Sequence, residues 1–114
     1  MNDETSAGPP GTTETRTLTL RNNTKRQRYE ALDREEVVGY TEYNMLPDSV
    51  EFKHTEVLQE GKGVGSFLVD AALADAKAQG MHVVPMCPFV AAYLRKHHEY
   101  TDLVKPELRP EYKL

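Results

Sequence analysis

The stretch Val57-Leu58-Gln59-Glu60-Gly61-Lys62-Gly63-Val64-Gly65-Ser66-Phe67-Leu68-Val69-Asp70-Ala71-Ala72 joins two periodicities, and its reading decides the fold. Up to Val57 the side chains alternate with the two-residue period of a strand. From Val64 onward the apolar residues recur at helical spacing. Between them, three glycines in five positions clear side chains from the backbone and permit positive φ. The first N–H groups of a helix have no internal partner and lie at the positive end of its dipole. A strand-to-helix turn of this kind suits a phosphate or pyrophosphate, with Lys62 as an added point charge. A Walker loop is excluded because Gly63, not Ser or Thr, follows the lysine. A dinucleotide fingerprint is excluded because the spacing is Gly-x-Gly-x-Gly after antiparallel strands. The same glycines also serve a tight turn with close helix–sheet packing; the strand-to-helix context favours anion binding.

Upstream, Arg16 to Val57 reads as four antiparallel strands. Leu18 and Leu20 alternate with threonines, and Asn22-Asn23-Thr24 supplies a turn. Tyr29 and Ala31 share a face of the second run, and the third runs from Val37 to Met45. After the turn at Leu46-Pro47-Asp48-Ser49 comes Val50 to Val57. Strict alternation there puts Val50, Phe52, His54 and Glu56 on one side, and Glu51, Lys53, Thr55 and Val57 on the other.

Downstream, Val64, Phe67, Leu68, Ala71, Ala72, Ala74 and Ala78 define an apolar helical arc, with Ser66, Asp70 and Lys77 on a polar strip. Gly80 ends this helix. Met81 to Met86 reads as a buried strand, and Pro88 starts a second helix reaching Lys96 or His97. Tyr100 to Val104 reads as a last short strand. A crossover helix between strands four and five makes that pair parallel. The expected fold is therefore α+β: a mixed, mostly antiparallel sheet with two helices.

Met1 to Thr15, rich in Gly, Pro, Thr and Glu, reads as a flexible tail, 16–104 as the folded domain and 105–114 as a C-terminal tail. Hydrophobic residues at 39% and charged residues at 28% fit a globular protein. A net charge of −4 speaks against a nucleic-acid partner. A single cysteine, Cys87, excludes an intramolecular disulfide and suits a reducing compartment. No apolar run approaches the roughly 20 residues that span a bilayer, and the N-terminus lacks a signal-peptide pattern. The expected location is the cytoplasm, with no membrane partner.

The Gly-x-Gly turn between strand and Ala-rich helix, Val57 to Ala72, resembles the cofactor motif of the GNAT acetyltransferase superfamily. Together with His54-Thr55-Glu56-Val57, Pro85-Met86-Cys87-Pro88-Phe89-Val90 and Tyr100-Thr101-Asp102-Leu103-Val104, it is similar to the minimal YjdJ-type subfamily. The resemblance spans about Arg16 to Val104. It implies acetyl-CoA as cosubstrate and acetyl transfer to an amine whose identity the sequence leaves open. It implies pyrophosphate on the amides of Gly61, Lys62, Gly63, Val64 and Gly65, and the acetyl carbonyl at the main chain of Val57. It further implies strands four and five splayed apart for the pantetheine arm; Pro85, which cannot donate to a ladder, suits that. Two departures stand out: Glu60 occupies a position usually Arg or Gln, and His97-His98-Glu99-Tyr100 replaces His-Pro-Glu-Tyr.

Candidate chemistry follows. Cys87 precedes Pro88 at a helix start, where a thiol can be activated. The resemblance puts it near the thioester, as acyl carrier or general acid; the alternative is an inert buried thiol. Glu56 and His54 can each serve as the base for an ammonium acceptor, or simply order the strand end. Tyr93 is read as a core or cofactor-packing aromatic rather than an acid. His82, His97 and His98 form no metal spacing with Cys87, so no metal is expected. Only about Asn22 to Lys25 stands where larger superfamily members insert helices, so the acceptor side is expected to be open and shallow, fitting a large acceptor such as a protein. A non-catalytic acyl-CoA-binding regulatory or interaction module, or a structural domain without CoA, remains the alternative.

Overall fold

The computed structural model describes residues 18–61 and 63–114. The tail expected over Met1 to Thr15 and the charge expected from Lys62 lie outside them. The elements in order are β1 (Leu18–Asn23), β2 (Arg28–Asp33), β3 (Glu36–Met45), β4 (Ser49–Val57), α1 (Val64–Ala78), β5 (His82–Pro85) and α2 (Pro88–Lys96). Three 3-10 turns follow, His98–Leu103, Pro106–Leu108 and Pro110–Tyr112. The strands form one sheet in the order β1-β2-β3-β4-β5. The first three pairings are antiparallel and β4–β5 is parallel, so the fold is the mixed α+β arrangement that the crossover helix implies.

Both helices pack on one face of the sheet. A small void is lined together by Thr41 and Phe52 of the sheet, Val69, Ala72 and Leu73 of α1, and Val90 of α2. The core beneath them includes Tyr29, Ala31, Val50, Phe52, Leu68, Leu73, Val83 and Leu94, each at most 1% exposed. The buried stripe of α1 is Val64, Gly65, Leu68, Val69, Ala72, Leu73 and Ala76. It is rotated from the expected arc: Ala74 and Ala78 face solvent, because Leu73 and Ala76 fill the sheet contact instead. Asp70, expected on a polar strip, is half-buried and accepts hydrogen bonds from the hydroxyls of Tyr93 and Tyr100 at 2.9 and 3.0 Å. Gly80, at φ 70°, follows the helix end as expected.

Two further expectations are corrected. Tyr100 to Val104 is not a strand. Tyr100 and Val104 are buried four residues apart, and Tyr100 N–H and Val104 N–H donate to His97 O and Thr101 O, which closes a 3-10 helix. The sheet therefore ends at β5. The second correction concerns β4, where strict alternation fails. Glu42 pairs with His54 but Tyr43 pairs with Phe52, so Lys53 is a bulge. Past it, Thr55 joins Thr41 on the helix-covered face, with Oγ1 atoms 2.9 Å apart. His54 and Glu56 turn to the opposite face, away from Val50 and Phe52.

That opposite face carries a charged cluster. In register across β1 to β4 lie Arg21, Glu30, Tyr40 and Glu56, and beside them Asn23, Arg28, Glu42 and His54. Glu30 is 1% exposed and accepts from Arg21 Nε and Arg28 Nε, each at 2.7 Å, and from Asn23 at 3.1 Å. Burial pushes the Glu30 carboxyl up, but the hydrogen bonds from Arg28, Arg21 and Asn23 together outweigh it and leave the group below its ordinary value. The Arg28 guanidinium lies over the Tyr40 ring, 4.2 Å from its centroid.

Candidate active site

The parallel β4–β5 ladder runs only from Ser49–His82 to Phe52–Pro85. One further link, Cys87 N–H to Phe52 O at 2.8 Å, closes it. Beyond that point β4 continues from Lys53 to Val57, while the chain after Pro85 turns into α2. Pro85 is the last residue of β5, and the turn into α2 that follows it ends the pairing. The result is a wedge with its apex at Phe52 and Cys87. Leu58 N–H donates to Val38 O at 2.8 Å. This makes Gly39–Val57 a non-hydrogen-bonded pair, so the Val57 N–H and C=O point to the wedge side of β4.

At the wide end stands the glycine turn. Gly61 and Gly63 have φ of 79° and 73°, and a Cβ on either would meet nothing within 4 Å. Their glycine identity therefore serves the backbone conformation and leaves open space beside it. Gly65 differs: a Cβ there would lie 2.8 Å from Phe89 Cζ and 3.3 Å from Val57 Cγ2. Packing alone accounts for a glycine at this position. Gly63 caps α1 without any side-chain hydrogen bond, and no acidic residue sits in the first turn. The first intrahelical bond is Phe67 N–H to Gly63 O at 3.0 Å. The amides of Val64, Gly65 and Ser66 precede it and have no acceptor within the helix. A shallow cleft of about 360 Å³ lies here, lined by Val57, Glu60, Gly61, Gly63, Ser66 and Phe89 among others.

The expected side chains sit at different depths. His54 Nε2 and Glu56 Oε1 are 2.9 Å apart, with side chains 55% and 47% exposed. They form a pair on the sheet face opposite the helices. Cys87 caps α2 before Pro88, is 3% exposed, and its thiol donates to Thr55 Oγ1 at 3.3 Å. It belongs to the helix-covered side at the apex, so β4 separates it from the His54–Glu56 pair. Tyr93 stacks on His97 with centroids 3.8 Å apart and donates its hydroxyl to Asp70. Burial and the Asp70 carboxylate push its hydroxyl up, so it keeps its proton across ordinary pH. Ser66, Thr55 and Asp70 carry no sequence signal for these places. Only Phe89 had one available, as an aromatic in the first turn after Pro88, where a helix start meets the wedge.

No group of three or more His, Cys, Asp or Glu that could hold a metal occurs among the described residues. No helix among them is long and apolar enough to cross a membrane.

The sequence model of a family described as GCN5-related N-acetyltransferase matches residues 28–103. The chain belongs to that family. The match begins at β2 and ends with the 3-10 turn after α2, so it encloses both the wedge and the glycine turn. An acetyltransferase domain is what this fold and this match share. No curated protein matches the chain.

Proposed function

We propose that the protein is an N-acetyltransferase that binds acetyl-CoA at the glycine turn and transfers its acetyl group to an amine. The observation that carries this reading is the glycine turn at the wide end of the β4–β5 wedge, where the first amides of α1 have no acceptor within the helix. The amides of Val64, Gly65 and Ser66, which have no acceptor within the helix, fit a pyrophosphate, and the wedge fits a slender arm running toward Cys87. Acetyl-CoA supplies an activated acyl group, whose C–S bond breaks as the new C–N bond forms. Val57 offers main-chain hydrogen bonding along the wedge. Glu56, hydrogen-bonded to His54, takes the proton that the acceptor ammonium must lose. Its exposure lets an acceptor reach it from solvent, which fits a large acceptor such as a protein amine. The Cys87 thiol, hydrogen-bonded to Thr55 Oγ1 at the apex, donates a proton to the departing sulfur; covalent carriage would require the thioester to reach a thiol that is 3% exposed. Glu60, exposed at the cleft, opposes phosphate by charge and sets a limit on affinity.

Calorimetric titration with acetyl-CoA, with ATP and NAD as controls, tests this. Selective binding that Gly63→Asp weakens, followed by acetyl transfer to an amine that Glu56→Gln slows, is the expected result. Selective binding without transfer to any amine would leave a non-catalytic acyl-CoA-binding module. No binding at millimolar acetyl-CoA would refute both.

A further inference from the structure

The chain after α2 builds a second hollow that shares no residue with the cleft at the glycine turn. It holds about 440 Å³ and is lined by Arg95, His98, Thr101, Lys113 and Leu114. Arg95, six residues after Phe89, lies about 120° away from it round α2, so the two hollows open on different flanks of that helix. The segments that wall it hold one another. Arg95 Nη1 donates to Tyr112 O at 2.7 Å, and Leu114 N–H donates to Arg109 O at 2.8 Å. His98 Nε2 donates to Arg95 O at 2.8 Å, since a carbonyl can only accept, which ties the ring to the end of α2. Lys113 N–H donates to Pro110 O at 3.2 Å, and the residue is held at φ 60°. Glycine takes that backbone conformation without strain and lysine does not, so packing gives no reason for a lysine here.

The charges round the hollow supply a reason. Arg95, His98 and Lys113 make no ion pair, with a side chain or with the chain end, among the described residues. The Thr101 hydroxyl beside them has no hydrogen-bond partner there either, and no acidic side chain lines the hollow. Two neighbouring acids are engaged elsewhere, Glu99 with His97 at 3.9 Å and Asp102 with Arg109 at 3.5 Å. In a chain with 18 acidic and 14 basic residues, two unpaired cations round one acid-free hollow mark a place for an anion. A guanidinium fork, an ammonium and a hydroxyl suit the oxygens of a phosphate, while Leu114 offers an apolar wall. The volume exceeds what a bare phosphate fills and falls in the range of small-molecule sites. We infer that Arg95, Thr101 and Lys113 bind a small organic phosphate, with its phosphate between the two cations and its apolar body on Leu114. This site is separate from the proposed cofactor cleft, and the inference does not rest on the acetyl-CoA reading.

Phenyl phosphate is the probe, titrated into isotope-labelled protein at constant ionic strength and followed by amide NMR shifts, with phenol and sodium chloride as controls. The glycine turn also suits phosphate, so the titration is repeated in Gly63→Asp. Saturable shifts at Arg95, His98, Thr101 and Lys113, unchanged in Gly63→Asp and absent with either control, are expected. Lys113→Gly should weaken binding about tenfold, as for a lost charge-assisted contact, and Lys113→Arg should retain it. Because glycine accepts φ 60°, Lys113→Gly should resist urea at least as well as the wild type, so its lost affinity is not lost folding. If it is less stable, Lys113→Asn, whose side chain also tolerates this conformation, reads the same contrast. Shifts confined to the glycine turn, no saturable shift, an equal response to phenol, or affinity undiminished in Lys113→Gly and Lys113→Asn would each overturn the site.

Discussion

Gly65→Ala separates packing from ligand approach at the start of α1. A Cβ at this position would lie 2.8 Å from Phe89 Cζ and 3.3 Å from Phe89 Cε2 and Val57 Cγ2. Carbon pairs rest at about 3.5–4.0 Å, so the Phe89 ring must retreat by about 1 Å. Phe89 is 44% exposed and free on one side, which holds the overpacking cost near the lower part of its usual range of about 1–3 kcal/mol. Against this, replacing glycine by alanine in a helix gains about 0.5 kcal/mol. The expected net loss is about 1 kcal/mol. In a Phe89→Ala background the main contact is gone, so the same substitution should stabilise by about 0.5 kcal/mol. The coupling is then about 1.5 kcal/mol, well outside the scatter of about 0.3–0.5 kcal/mol for independent sites. Urea unfolding of the four proteins, compared at constant m, measures it. Coupling within that scatter would refute the packing account of Gly65. Restored stability without restored acetyl-CoA affinity would show that a ligand also approaches the backbone there.

Gly63→Ala should lose about 1–2 kcal/mol from its φ of 73° alone, with no clash, and Gly63→Asn should recover part of it; urea midpoints in which Asn is no better than Ala would contradict this. Glu30 has its carboxyl held below 4.5 in the folded protein, so its contribution is present above the unfolded value and is lost as pH falls through the folded one. Glu30→Gln should therefore cost about 2 kcal/mol at neutral pH and flatten the stability curve on the acid side; parallel curves for wild type and variant would refute it. Cys87→Ala should slow transfer about 10²-fold by removing a proton donor, and intact mass of the wild type mixed with acetyl-CoA should show no acetyl adduct. A stable adduct absent from Cys87→Ala would make the thiol an acyl carrier.

How far the sequence could be read depended on how local each determinant is. The glycine turn, the Pro88 helix start and the Gly80 stop are set by backbone conformation within a few residues, and all three stand where the sequence puts them. The parallel β4–β5 pair also follows, because a strand–helix–strand crossover permits little else. The Lys53 bulge does not, since nothing in Phe52-Lys53-His54 marks it. It arises from pairing with β3, a contact across the sheet, and it decides which side chains face the helices. A strict period of two would have put His54 and Glu56 under the helices beside Phe52, and Thr55 on the open face. With the bulge, Thr55 meets Cys87 at the apex and the His54–Glu56 pair meets solvent. One inserted residue thus separates the proposed proton acceptor on the open face from the proposed proton donor on the covered one. That is the arrangement a transfer between two substrates entering from opposite sides of a sheet requires. The Tyr100 to Val104 segment departs from the expected strand for the same reason: its apolar residues satisfy either period, and Asp70, thirty residues upstream, holds Tyr100 in the helical one.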